Sequence, residues 1–358
     1  MFGPYHAGSR REPFRALFTQ APDAIARNMS EPLTQALRRP LTIGHGANAV
    51  TVPNRVFLAP MSGVTDLPFR RIAERCGAGL VVSEMVASRE LTQKHPESEL
   101  RCAGDGLRLH AVQLAGREAK WMALAARRAE SSGARLIDIN MGCPARKVTG
   151  GLSGSALMRD LDHALTLIEA TVDAVEVPVT LKMRLGWDFD CLNAPDLARR
   201  AEAAGVAMVT IHGRTRNQFY EGRADWNAVR AVREVIDVPL VVNGDIDTTE
   251  DCRAALERSG ADAVMVGRAS QGRPWHCAAL AGAPTPFDPS VVALEHYEAN
   301  VAHHGGRVGV RHARKHVGWY MDRTDAPAQL RRAAMTSDDP HEVLRLLEEA
   351  LAPMRAAA

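Results

Sequence analysis

Eight short apolar runs, at residues 56–59, 80–83, 109–114, 136–140, 179–183, 208–212, 240–243 and 263–266, alternate with stretches of helical periodicity. A chain that switches this regularly between the two periods builds successive parallel β/α units. Eight such units fit a closed barrel of about 250 residues better than an open, doubly wound sheet. No GxGxxG follows the first run, which weakens a dinucleotide-binding reading further. The helical stretches fall at 67–76, 118–131, 161–172, 194–204, 226–235 and 249–259. Start signals support them at Thr65-Asp66, at Asn193 before Pro195-Asp196, and at Asp247-Thr248-Thr249-Glu250. Gly77, Gly133, Gly205 and Gly260 supply ends.

The texture changes at a proline-rich linker, 283–289, after which helical segments at 291–304, 308–321, 326–335 and 340–351 follow without strands. The expected fold class is therefore α/β: a (β/α)8 TIM barrel over 41–282, then a small all-helical C-terminal domain over 283–358. Residues 1–40 read as a flexible N-terminal extension in which Met29 is an alternative start. A 46% hydrophobic content supports a sizeable core, and a net charge of +2 leaves only local clusters to indicate a polyanionic partner. The six cysteines lack paired spacing, which argues against a zinc ribbon or disulfide framework and for a reducing cytoplasm. No apolar run approaches the roughly 20 residues of a membrane span. His303, His304, His312 and His316 lack ligand spacing to carboxylates, so no metal is expected.

In such a barrel the chemistry sits at the C-terminal ends of the strands. Those ends read Pro60-Met61, Glu84, Gln113, Asn140, Lys182, His212, Asn243-Gly244-Asp245 and Gly267-Arg268. Singly, Gln113 or Asn140 is a strand-end cap, Lys182 a solvated lysine, His212 a satisfied rim histidine, and Glu84 a salt bridge or a site residue. Together the amides, ammonium and imidazole suit the edge of a heterocycle. The groups after the seventh and eighth strands suit a phosphate. Cys143 follows the 136–140 run on a turn broken by Gly142 and Pro144, with Arg146 and Lys147 just beyond. Its local context fits a reactive thiol and an inert turn thiol equally.

The segments Leu58-Ala59-Pro60-Met61-Ser62-Gly63-Val64-Thr65-Asp66, Asn140-Met141-Gly142-Cys143-Pro144 and Lys182-Met183-Arg184-Leu185-Gly186-Trp187 resemble the tRNA-dihydrouridine synthases. So do His212-Gly213-Arg214-Thr215-Arg216, Asn243-Gly244-Asp245-Ile246 and Val266-Gly267-Arg268-Ala269, and Arg314-Lys315-His316-Val317-Gly318-Trp319-Tyr320 resembles the bacterial B-type branch. The resemblance runs from about residue 41 to the end and implies FMN as prosthetic group, NADPH as reductant and tRNA as substrate. It implies that Pro60, Met61 and Ser62 back the flavin ring, and that Gln113 and Lys182 hydrogen-bond it. His212, Asn243, Gly244, Asp245, Gly267 and Arg268 would surround the ribityl chain and phosphate. Cys143 would give a proton to uracil C5 opposite a hydride delivered to C6, with Asn140 orienting the base. A thiol with the usual pKa near about 8.5 is protonated at neutral pH and can act as that acid. Arg146 and Lys147 would lower the pKa.

For RNA, Arg146 and Lys147 flank the presumed acid. Arg311, Arg314 and Lys315, at helical spacing, share one face suited to phosphates. Trp319 reads as bundle core. Two other readings are a small-molecule flavin reductase of the dihydroorotate dehydrogenase kind, and a non-catalytic RNA-binding protein on a retained barrel. The basic tail argues against the first and the intact cysteine against the second. A monomer is expected.

Overall fold

The computed structural model describes residues 31–283 and 288–356. Met29 and most of the 283–289 linker lie outside the described residues. Strands β1 (Leu41–Ile43) and β2 (Val50–Val52) form an antiparallel hairpin. A parallel sheet follows from β3 (Val56–Leu58), β4 (Leu80–Val81), β5 (Val86–Ala87), β6 (Ala111–Ala115) and β7 (Leu136–Met141). It continues through β8 (Val179–Arg184), β9 (Met208–His212), β10 (Leu240–Asn243) and β11 (Ala263–Val266). The order β4-β3-β11-β10-β9-β8-β7-β6-β5 closes on itself, because Val82, just past β4, bridges Ala111 of β6.

The expected eight-strand barrel is present, with its second strand split into β4 and β5. At the split, Gln113 N donates to Ser83 Oγ at 2.9 Å instead of to a strand carbonyl, and Ser83 Oγ donates to Glu84 O at 2.8 Å. A side chain here takes over a ladder bond, so the backbone leaves strand geometry. Glu84, in the gap, accepts from Gly63 N.

Strand alternation sorts the side chains into two sets. Val56, Leu58, Val112, Ile137, Ile139 and Val242 face outward, into the core shared with the barrel helices. Phe57, Ala111, Leu136, Met208, Val241 and Ala263 face the axis and pack on the hairpin residues Leu41, Ile43, Val50 and Val52, which stopper the barrel from below. Further up, the same inward positions turn polar. Register places Gln113 beside Asp138 and Asp138 beside Thr180. One layer higher, Asn140 pairs with Lys182 and Lys182 with Thr210. At the top, His212 lies between Arg184 and Asn243.

The helices Leu67–Cys76, Leu161–Val172 and Thr249–Ser259 have their expected bounds, with caps from Asp66, Asp160 and a Thr248–Asp251 capping box. The extension expected over 1–40 is corrected over its last ten residues. Glu31–Arg38 is a helix whose Leu33 and Leu37, at i,i+4 spacing, pack on the barrel core, and Arg55 N donates to Leu37 O at 2.8 Å.

The C-terminal helices are Pro289–His304, Gly306–Met321, Ala328–Thr336 and Pro340–Ala356. Their core includes Tyr297, Val317 and Leu347 and takes in Ile72, Cys76, Trp275 and Ala278 from the barrel side. Trp319 is half-buried at this seam, with its Cβ against Gly272 and its ring edge-on to His316.

Asp66 joins the two cores. Its Oδ1 accepts from Phe69 N at 3.0 Å, capping the first barrel helix, while Oδ2 accepts from Asn300 Nδ2 at 2.8 Å and lies 3.2 Å from His304 Nε2. Burial pushes this carboxyl up, but the His304 contact, the His296 and His316 imidazoles and the Phe69 N–H outweigh it and hold it well below the usual range. A depressed carboxylate stabilises the fold above its unfolded pKa of about 4 and loses that contribution as the pH falls. Asp66→Ala is expected to lower the unfolding free energy by about 2–4 kcal/mol and to flatten the acid limb below about pH 4, read by urea titration at several pH values. An unchanged urea midpoint would show that the seam does not depend on this group.

Candidate active site

The polar top of the barrel gathers the residues singled out in the sequence. On β7, Asn140 Oδ1 accepts from Gly142 N at 3.2 Å and Cys143 N at 3.0 Å. The Asn side chain thus makes the turn that the Gly142 and Pro144 breakers permit. Ser155 holds the turn from the other side: its N and Oγ donate to Cys143 O at 3.1 and 2.8 Å. Gly154 (φ +60) is required there, because a Cβ would lie 2.9 Å from Cys143 O. The Cys143 thiol is half-buried.

Beneath this turn, Asn140 Nδ2 donates to Gln113 Oε1 at 2.7 Å, and Gln113 Nε2 donates to Asp138 Oδ2 at 2.6 Å. Thr180 Oγ1 donates to Asp138 Oδ1 at 2.6 Å. Across the barrel, Lys182 Nζ donates to Asn243 Oδ1 at 3.0 Å, and Asn243 Nδ2 donates to Met265 O at 2.8 Å. Burial, with Arg184 nearby, lowers the Lys182 pKa to about 8 against the opposing pull of Asp138.

His212 is held neutral: burial first, then the charges of Arg184, Lys182, Arg214 and Arg268, keep its pKa well below the ordinary value. Arg214 Nη1 lies 3.2 Å from His212 Nε2. A guanidinium only donates, so Nε2 accepts and the ring proton sits on Nδ1. Asp245, left-handed at φ +54, accepts from Arg214 Nη2 at 2.6 Å, Ala224 N at 2.7 Å and Arg268 Nη2 at 3.3 Å. Gly244 has φ +116, and a Cβ there would lie 2.8 Å from His212 Cδ2 and Ala224 Cβ. Met61 Sδ approaches Gly267, which brings the β3 and β11 ends together, and Thr65 Oγ1 accepts from Met61 N at 2.8 Å. Pro60 and Met61 are half-buried and Ser62 is exposed on that same loop.

Three buried residues at the site were not singled out as site residues by sequence reasoning. They are Asp138; Arg214; and Arg184, which donates from Nε to Gly142 O at 2.8 Å and from Nη1 to Thr215 O and Phe219 O. Each is two residues along the same strand or loop from one that was: Asn140, His212 and Lys182. The RNA candidates divide. Arg146 is exposed beside the cysteine turn, and the Lys147 side chain lies outside the described residues. Arg311 and Arg314 share Asp338, at 2.9 and 2.8 Å. Lys315 instead turns to the barrel, where its Nζ is 3.1 Å from the position of a Cβ on Gly63.

The Cys143 thiol is pushed up from its ordinary pKa by burial, against the Ala145 N–H and the charges of Arg184 and Lys182. Among the described side chains, the cations that act on it are thus barrel-interior ones, and burial outweighs them. Alkylation of Cys143 by iodoacetamide should rise with pH along a curve whose midpoint lies above the value of about 8.5 for a free cysteine. A midpoint below 8, measured by mass spectrometry, would show that the cations win.

Comparison with known proteins identifies the family. The family model described as dihydrouridine synthase matches residues 57–355. A "Probable tRNA-dihydrouridine synthase" of Rhizobium leguminosarum bv. phaseoli is 63% identical over 307 residues, covering 84% of this chain and 96% of its own length. The "tRNA-dihydrouridine synthase B" of Pseudomonas aeruginosa is 46% identical over 285 residues, covering 76% and 85%. Among solved structures, a 6-hydroxypseudooxynicotine amine oxidase from Pseudomonas geniculata matches with a TM-score of 0.55 at 15% identity, over 76% of this chain and 53% of that one. TcOYE with pHBA matches with a TM-score of 0.51 at 14% identity, over 75% and 98%. These last two likenesses concern the barrel fold alone. With a family match spanning the barrel and the helical region, and a relative at 63% identity, the chain belongs to the dihydrouridine synthase family.

Proposed function

We propose that the protein is an FMN-dependent tRNA-dihydrouridine synthase that uses NADPH as reductant, with Cys143 as the acid. The observation that carries this reading is the placement of a protonated, half-buried thiol beside a ring of hydrogen-bond donors at the one open end of the barrel. The residues present fit FMN. Gln113 and Lys182 offer donors for the heteroatoms of the flavin ring, and Pro60, Met61 and Ser62 lie on the loop expected to back it. On the far side, Gly267 leaves its backbone open, with the nearest atom 3.8 Å from where a Cβ would lie, and Arg268 is more than half exposed on a 3.3 Å contact to Asp245, open to a phosphate. His212, Asn243 and Asp245 hold that corner in place.

When bound, FMN would supply the hydride to uracil C6. The protein's part is to orient the base and to protonate C5 from the other face. Asn140 keeps one Nδ2 hydrogen free for the base after its bond to Gln113. Cys143 holds its proton at neutral pH because burial raises its pKa, so it needs no partner to act as an acid. Arg184, bonded to Gly142 O, keeps the turn in place while the proton leaves.

The target uridine must leave its stack to reach this depth, at a cost of a few kcal/mol. Phosphate contacts offset that cost. Arg146 and Lys147 serve beside the mouth. Arg311 and Arg314 serve on the helical domain, where their pairing with Asp338 is a surface ion pair weak enough for a phosphate to replace. Lys315 serves in the seam between the domains.

Cys143→Ala should lower dihydrouridine formation on tRNA by about a hundredfold or more while the yellow FMN absorbance is retained. Full activity in that variant would remove Cys143 from the role of acid. Site-by-site mapping of dihydrouridine in tRNA from a deletion strain tests the activity itself. An unchanged pattern would overturn it.

A further inference from the structure

We propose that Asp138 is a positioning residue: it sets which atoms Gln113 and Asn140 turn toward the cofactor and toward the Cys143 turn. The inference rests on the site reading above. A primary amide has an accepting oxygen at one end and a donating NH2 at the other, and two adjacent amides are consistent only when both point the same way along their chain. A carboxylate only accepts. With Gln113 Nε2 donating to Asp138 at 2.6 Å, Gln113 Oε1 is left to accept from Asn140 Nδ2 at 2.7 Å. Asn140 Oδ1 then faces Gly142 N and Cys143 N, which can only donate. The acceptor at one end of the relay and the backbone donors at the other select the same arrangement. Reversing either amide would set donor against donor.

The chain Asp138–Gln113–Asn140–Cys143 therefore reads as a single polarity imposed from the barrel interior. Asp138, Gln113 and Asn140 are all buried, so water does not supply a substitute partner cheaply. Thr180 Oγ1 occupies the other Asp138 oxygen at 2.6 Å and keeps the carboxylate from rotating. Burial raises the Asp138 pKa to about 6 against the Gln113 and Thr180 bonds and the Lys182 charge, and each of its oxygens accepts from a neighbouring side chain. One consequence concerns the cofactor. Each amide keeps one uncommitted N–H: that of Gln113 joins the Lys182 ammonium as a donor suited to the acceptor edge of a flavin's pyrimidine ring, and that of Asn140 is left for the base. A second consequence is that the Cys143 turn is held by a group that never touches substrate.

The test compares Asp138→Ala with Asp138→Asn in the full chain. Asn keeps an oxygen for Gln113 and can donate to Thr180 Oγ1, so it should restore what Ala removes. In flavin-free protein, iodoacetamide should alkylate Cys143 about threefold to tenfold faster in Asp138→Ala, as expected for loss of one hydrogen bond on the turn, and at the parent rate in Asp138→Asn. FMN affinity, read by quenching of flavin fluorescence, should fall by about the same factor in Ala and recover in Asn. If the Ala variant does not fold, Gln113→Met cuts the relay at the next link and should show the same faster alkylation. Parent-like alkylation and FMN affinity in Asp138→Ala, or in Gln113→Met where that variant replaces it, would overturn the proposal, as would an Asn variant as impaired as Ala. The alkylation arm needs no flavin, so failure of every variant and of the parent to bind FMN would count against the functional reading and leave the relay separately tested.

Discussion

Inside a closed parallel barrel every second side chain faces the axis, and no solvent is available to a polar group placed there low down. This constraint shapes the molecule from bottom to top. The lowest inward positions are apolar and meet the hairpin; the next carry Gln113, Asp138 and Thr180, whose polar groups are matched to one another. Higher up, hydrogen-bonding capacity is left over at Asn140, Lys182 and Arg268, beside the one uncommitted N–H of Gln113. A reactive surface is thereby concentrated at one end without an orphaned charge beneath it. The cysteine turn inherits its geometry from this column, because Asn140 belongs both to the buried network and to the turn.

The helical domain is part of the same construction. The loop that carries Pro60, Met61 and Ser62 ends at Asp66, and Asp66 is bonded to the helix Pro289–His304 through Asn300 and His304. Lys315, from the next helix, lies against Gly63 in the middle of that loop. Barrel and bundle thus meet at the strand end that the functional reading assigns to the flavin. The bundle supports that loop, and on the proposed reading it also offers cations to RNA.

Much of this was legible in the chain. The alternation of periods gave the barrel, and capping chemistry gave the bounds of helices such as Leu67–Cys76 and Thr249–Ser259. What escaped had local causes. The split of the second strand depends on a tertiary bond from Gln113 N to Ser83, invisible to any window around residue 83. The helix Glu31–Arg38 has too few residues for periodicity to stand out from its surroundings. Reading only strand ends found Asn140, Lys182 and His212 but missed Asp138, Arg184 and Arg214. Stepping two residues from each known inward position would have found them. Lys315 was grouped with Arg311 and Arg314 by helical spacing. It lies four positions after Arg311, but the neighbouring barrel, not the spacing, decides where its amine goes.

The hairpin of β1 and β2 fills the lower end of the barrel with Leu41, Ile43, Val50 and Val52. A vessel stoppered at its base has a single doorway. On the proposed reading, reductant and tRNA both reach the site through that doorway.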